Sequence, residues 1–232
     1  MSAPVLHDFS WQRMINAVEA VKERACRAAA ALEQAGIPYA VAGGNAVAAW
    51  VARVDEDAVR NTNDVDILVR RSDFDAIKQA LEGAGFEYHF VNGVECFIDG
   101  PDGKPSRGVH LLFANEKVKN SYPVPTADVT EAVPAQNYLV VTLDALVRMK
   151  LNSYRRKDQV HLLDLLGIGL IDQSWCSRLC PQHAERTRIG RSVRCRANPT
   201  GGLGPCVGTN SISSARVLLK LPRDSSAREL IP

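Results

Sequence analysis

The sequence predicts an α/β (α+β) chain: a mixed sheet flanked by helices, followed by a small helical module. Three observations predict it. Helical stripes and short apolar runs alternate through the first half of the chain. Two of those runs flank Asn92-Gly93, a favoured two-residue hairpin turn. After an irregular stretch bearing Pro123, Pro125 and Pro134, two further segments carry a helical pattern.

Residues 9–35 open with a helix, because Trp11, Ile15, Val18, Val21, Ala25, Ala28 and Leu32 recur at spacings of three and four. Gly36 ends it and Pro38 follows. IPYAVAGG then gives a short strand running into a glycine pair, and Asn45 to Arg53 give an alanine-rich helix. The polar loop DEDAVRNTN leads to the strand DVDILV. Ser72 and Asp75 resemble a capping box opening a helix over 73–82, closed by Gly83 and Gly85. Strands follow at 87–91 and 94–98, and after the polar turn DGPDGKPSR comes the strand GVHLLFA. Residues 115–136 read as irregular, and NYLVVT as a short strand or an extended linker. Thr142 caps the helix LDALVRMKLNSY, and a second helix runs through RKDQVHLLDLLGI.

The 232 residues, 46% of them hydrophobic, suffice for a packed core. No apolar run reaches the roughly 18 residues of a membrane span. The opening MSAPVLHDFSWQRM lacks the basic-then-apolar order of a secretory signal, so a cytoplasmic location is expected and the six cysteines are read as thiols. The division expected is a catalytic α/β domain over 1–130, a helical module over 131–185 and a tail over 186–232. That tail holds nine Lys/Arg against two Asp/Glu, +7, while the rest holds 19 against 24, −5. Rich in Arg, Gly, Ser and Pro, it is expected to lack order. Its abrupt change of composition is what an out-of-frame reading of a GC-rich gene yields; a genuine +7 tail would instead touch nucleic acid or another anion. Cys176, Cys180 and His183, with Cys195 and Cys206 beyond, are too irregularly spaced to read as a zinc site.

The chemistry centres on DVDILV. Strand side chains alternate faces, so Asp64 and Asp66 project together. Such a pair is either a solvated strand end or a claw for a hard divalent cation. Upstream, Gly43-Gly44 breaks a strand and starts a helix. That is either a tight turn or a set of backbone N–H groups open to phosphate.

VAGG (41–44) followed by DVDIL (64–68) resembles the nucleotidyltransferase superfamily of DNA polymerase beta in its small bacterial form. RNTNDVD, with Arg60 and Thr62, is similar to the form seen in abortive-infection and toxin–antitoxin nucleotidyltransferases. RMKLNSYRRKDQVHLLDLL (148–166) resembles that family's basic helical segment. The resemblance covers residues 36 to 175. It implies that Asp64 and Asp66 hold Mg²⁺ (or Mn²⁺) bridging a nucleoside triphosphate, that a hydroxyl attacks the α-phosphorus, and that pyrophosphate leaves. It implies that Gly43, Gly44 and Thr62 bind the nucleotide, with Lys150 and Arg156 neutralising phosphate charge. The acceptor is RNA, a protein hydroxyl or a small molecule.

One position departs from the family, which places a third carboxylate on a later strand. Here that place holds His110, a general base or an ordinary imidazole; Glu95 or Asp99 on the neighbouring strand are the other candidates. A catalytically weak nucleotide binder acting through a partner protein is therefore the competing reading. A third, a basic nucleic-acid-binding protein, rests only on the tail.

Overall fold

The computed structural model describes residues 8–100, 103–172 and 175; the five candidate zinc residues and the 186–232 tail lie outside them. Helix α1 (Trp11–Gln34) is capped by the Ser10 hydroxyl, which accepts from the Arg13 backbone N–H. It is terminated at Gly36, which takes φ +66°. Its apolar stripe divides in two. From Val21 onward the stripe is core, but residues 11–20 are exposed on every face, Trp11 at 70%.

Strand β1 (Tyr39–Val41) leads into α2 (Gly43–Val51), and β2 is Val65–Val69. Helix α3 (Phe74–Gly83) starts without the expected capping box. The chain first makes a 3-10 turn over Arg71–Asp73, which places Ser72 inside the turn, and its hydroxyl donates to Asp73 instead. The extended conformation a cap requires falls on Arg70. Strands β3 (Phe86–Val91) and β4 (Val94–Asp99) form the hairpin, with Asn92 at φ 52° and Gly93 at φ 79° as its turn type demands. Strand β5 is Val109–Phe113.

The stretch read as irregular contains β6 (Ala132–Pro134), and NYLVVT resolves into β7 (Leu139–Val141). Both enter the same sheet, whose order is β3-β4-β5-β2-β1-β7-β6. Helices α4 (Leu143–Ser153), capped by Thr142, and α5 (Arg156–Gly167) follow. Tyr154, in the left-handed conformation at φ 46°, makes the turn between them. Both helices pack against α2. Among the described residues no helix is long and apolar enough to cross a membrane.

Register fixes the faces. β2 runs parallel to β5 with Asp66 opposite His110, and β4 runs antiparallel to β5 with Cys96 opposite His110. These three side chains therefore share one face. Glu95 and Asp99 alternate with Cys96 and point to the other, where Asp99 pairs with Arg24 and Arg27 of α1 and Glu95 accepts from the Tyr88 hydroxyl. Neither can supply a third carboxylate beside Asp64 and Asp66.

Candidate active site

Four pieces of chain meet at one end of the sheet: the start of α2, the start of β2, β5, and the start of α5. Ligand atoms of Asp64, Asp66 and His110 lie within 4.8 Å of one another, all half-buried. The His110 Nδ1 stands 3.8 Å from an Asp66 carboxylate oxygen, longer than an ordinary hydrogen bond but within ion-pair distance. The other ring nitrogen, Nε2, is 2.7 Å from the Pro105 carbonyl and donates to it. That carbonyl is itself fixed by the 3-10 turn Pro105–Arg107 and accepts the Gly108 N–H.

The glycine pair is packed against these acids. A Cβ on Gly43 would fall 1.8 Å from Asp66 Oδ2, and one on Gly44 would fall 2.9 Å from the Thr62 Cβ. Gly43 also sits at φ +63°, where side chains are disfavoured. Helix α2 has no side-chain cap, since its N-cap is Ala42. The buried Asn45 donates to the Asp64 carbonyl at 2.7 Å, tying the helix start to the start of β2.

On the opposite side stands Lys157 of α5. Its ammonium is 3.4 Å from Asp64 Oδ1 and 3.2 Å from the Thr62 hydroxyl, which itself donates to Asp64. Burial alone would raise the Asp64 carboxyl, but the Thr62 hydroxyl and Lys157 outweigh it and hold the group below its ordinary value. His110 moves the other way. The Asp66 carboxylate, then the Cys96 thiol, push it up to about 10 against the opposing effect of burial. Arg60 reinforces the junction through a 2.7 Å bond to Asp164 of α5.

The basic residues read from the sequence are placed differently from one another. Arg156 is exposed at the start of α5. Lys150 is only 5% exposed and bonds Asp158, which is fully buried, at 3.1 Å. Asp158 also accepts from Ser153, from the Arg155 backbone and from the Arg155 guanidinium. It thus supplies, inside the first turn of α5, a negative charge beside the basic run Arg155-Arg156-Lys157, where the helix dipole favours an anion. Burial would raise the Asp158 carboxyl; Arg155, Lys150 and Ser153 together hold it well below the usual range. Lys157, whose signal was the Lys-Asp pair at the end of that run, is the cation that reaches the acids.

The residues fit a divalent ion on three counts. Their donor set is two carboxylates and one imidazole nitrogen. Two donors each about 2.1 Å from one ion can lie up to about 4.2 Å apart, and the 3.8 Å between Asp66 and His110 falls inside that limit. Lys157 meanwhile already places a positive charge against Asp64.

No family model matches the chain, and no curated protein matches it. Among solved structures it is similar to the antibiotic-resistance factor ANT(2'')-Ia in solution, at 15% identity over 78% of this chain and 95% of that one, TM-score 0.48. It is similar to an antigenic nucleotidyltransferase-like protein from Paracoccidioides brasiliensis, at 19% identity over 78% and 90%, TM-score 0.48. A further similarity, to JHP933 from Helicobacter pylori, is 14% over 62% and 58%, TM-score 0.35. Likenesses of this size leave any functional reading to rest on the side chains.

Proposed function

We propose that the chain is a metal-dependent nucleotidyltransferase that moves a nucleoside monophosphate from a nucleoside triphosphate to a hydroxyl acceptor. The observation that carries this reading is the interlock of Gly43 with Asp66, beside Asp64 and His110. It sets a divalent-cation claw directly against an uncapped helix start, the two features that together suit a metal-bound triphosphate.

In this reading Asp64, Asp66 and His110 hold the ion, Mg²⁺ or Mn²⁺. The ion, when bound, stabilises charge on the attacking and leaving oxygens of an in-line displacement. Gly43 and Gly44 present backbone N–H groups to the phosphates, where side chains would block the approach. Thr62 orients Asp64 through its hydroxyl bond. Lys157, with Arg156 beside it in sequence, offsets phosphate charge from α5, and Lys150 fixes Asp158 and hence the start of that helix. The acceptor hydroxyl attacks the α-phosphorus, its proton passes to solvent or a neighbouring base, and pyrophosphate leaves. Cys26 and Cys96, both free, suit the reducing cytoplasm.

A second reading is favoured by one observation: the position facing Asp66 on β5 is an imidazole whose outer nitrogen is occupied by Pro105. No carboxylate is then left there to take the acceptor's proton. The chain would bind nucleotide and act through a partner protein, as in the toxin–antitoxin modules that RNTNDVD resembles.

Calorimetric titration with each nucleoside triphosphate in the presence of Mg²⁺ or Mn²⁺, followed by a pyrophosphate-release assay over RNA, protein and small-molecule hydroxyl acceptors, separates them. Metal-dependent binding with release supports the transferase, and binding without release by any acceptor supports the second. Metal-dependent binding that survives Asp64→Asn with Asp66→Asn overturns both.

A further inference from the structure

We infer that the site selects a first-row transition ion, Mn²⁺ before Mg²⁺, because its third ligand is the Nδ1 lone pair of His110. The inference rests on the metal-dependent reading given above and concerns this chain's own substitution within it.

The imidazole is held as metal-ligating histidines are held. Its Nε2–H is spent on the Pro105 carbonyl at 2.7 Å, and a backbone carbonyl on the outer nitrogen is the partner that fixes the tautomer and ring plane of a ligating histidine. With Nε2–H spent on that carbonyl, an entering ion displaces the proton from Nδ1, the atom that faces Asp66 at 3.8 Å, and takes the lone pair so freed. The ring cannot swing away cheaply. The Pro105 carbonyl is pinned by its own turn, and Gly108, whose Cβ would come within 2.7 Å of the Cys96 sulfur, brings β4 and that turn close together. Parallel pairing of β2 with β5 then fixes His110 opposite Asp66.

The chemistry of the donor set decides the ion. Mg²⁺ demands oxygen ligands in near-ideal octahedral geometry and sheds water reluctantly. Imidazole nitrogen favours transition ions, and carboxylates keep Mn²⁺ among the acceptable ones. Two carboxylates also bring one negative charge fewer than three would, which weakens the electrostatic hold that a hard ion such as Mg²⁺ depends on. A two-carboxylate, one-imidazole set therefore penalises Mg²⁺ more than Mn²⁺.

The test uses the full chain, without a histidine tag, and measures the ion alone. Mn²⁺ and Mg²⁺ affinities are taken by competition, and the bound Mn²⁺ is examined by electron spin echo envelope modulation for a coupled ¹⁴N nucleus. The expected result is Mn²⁺ bound at least about tenfold more tightly than Mg²⁺, the scale on which ligand surroundings tune metal affinity, with a ¹⁴N coupling present. His110→Asp should remove the coupling and narrow the Mn²⁺/Mg²⁺ ratio by strengthening Mg²⁺. His110→Asn, which avoids a third close carboxylate, should remove the coupling as well if His110→Asp fails to fold. Bound Mn²⁺ without nitrogen coupling, or equal affinities unmoved by either variant, overturns the inference and leaves the carboxylate claw standing. Absence of divalent-ion binding, or binding indifferent to Asp64→Asn and Asp66→Asn, overturns the metal-dependent reading and this inference with it.

Discussion

The carboxylate of Asp66 fills the space where a side chain on Gly43 would be: an added Cβ would lie 1.8 Å from Asp66 Oδ2. The glycine that begins α2 and the acid on β2 are parts of one arrangement. It is tightened by the bond from the Ala42 N–H to the Asp66 carbonyl at 2.8 Å. The helix start can approach the acid this closely only because Gly43 has no Cβ and accepts φ +63°.

Gly43→Ala should therefore be costly both to the fold and to the site. The left-handed conformation alone costs about 1 to 2 kcal/mol for alanine, and the collision with Asp66 must be relieved by moving the carboxylate. Denaturant unfolding should show the stability loss, and Mn²⁺ titration should show weakened binding. Gly44→Ala, at 2.9 Å from Thr62, should be milder. Gly83→Ala meets nothing within 4 Å at the end of α3 and should leave ion binding untouched. If Gly43→Ala bound Mn²⁺ as the parent does, the interlock would have no bearing on the site.

The buried Lys150–Asp158 pair should be structural. Removing one partner of a buried pair typically costs about 3 to 5 kcal/mol, so Asp158→Asn should destabilise on that scale, and Lys150→Met with Asp158→Asn should cost less than the two separately. Because the folded carboxyl is held below its ordinary value, its contribution is present above about pH 4 and is lost as pH falls toward the folded value. Urea unfolding followed down the pH scale should show the gap between the parent and Asp158→Asn closing below about pH 4. A constant gap would mean the charge on Asp158 is not what stabilises.

Local chemistry made much of this legible from the sequence. Asn92-Gly93, Thr142 and Gly36 each specify a torsion or a hydrogen bond, and each is found doing so. Asp66 lies on β2 as read, whereas Asp64 precedes that strand in a bend, held by Thr62 and Lys157. What local rules could not supply was pairing at a distance. β7 has three residues, and its place follows from a partner a hundred residues away, Val41 opposite Val140. The sides taken by Glu95 and Asp99 depend on the register of β4 against β5. Lys157 and Lys150 have the same chemistry. Only the turn at Tyr154 sends one to Asp64 and the other into the interior.

His161 should give the fold a pH-dependent stability of its own. The ring is 7% exposed, its Nδ1 has no hydrogen-bond partner, and burial, then Lys150 and Lys157, push its pKa down to about 4. The unfolded chain binds a proton near pH 6.5 that the folded chain refuses until about pH 4, so stability falls as pH drops through that window. The loss is up to about 3 kcal/mol by linkage. His161→Phe should flatten the slope between pH 6.5 and 4 in urea unfolding while the steeper loss below pH 4 remains. An unchanged slope would assign it to other groups.

Lys157 should affect its two ligands in opposite directions. Its ammonium stands 3.4 Å from Asp64 Oδ1, where it neutralises a carboxylate that a divalent ion would also use. Like charges repel, and the ammonium must withdraw, or tolerate the ion nearby, when one binds. Lys157→Met removes that competitor without removing a ligand, so Mn²⁺ alone should bind several-fold more tightly. The nucleoside triphosphate brings about four negative charges to the same place, and there the missing cation should weaken binding by about tenfold, roughly the size of one charge-assisted bond. Separate titrations of ion alone and of nucleotide with saturating ion measure the two effects on one protein. A purely structural lysine would weaken both together, and a remote one would change neither. Only a cation shared between Asp64 and the phosphate position gives a gain in one and a loss in the other.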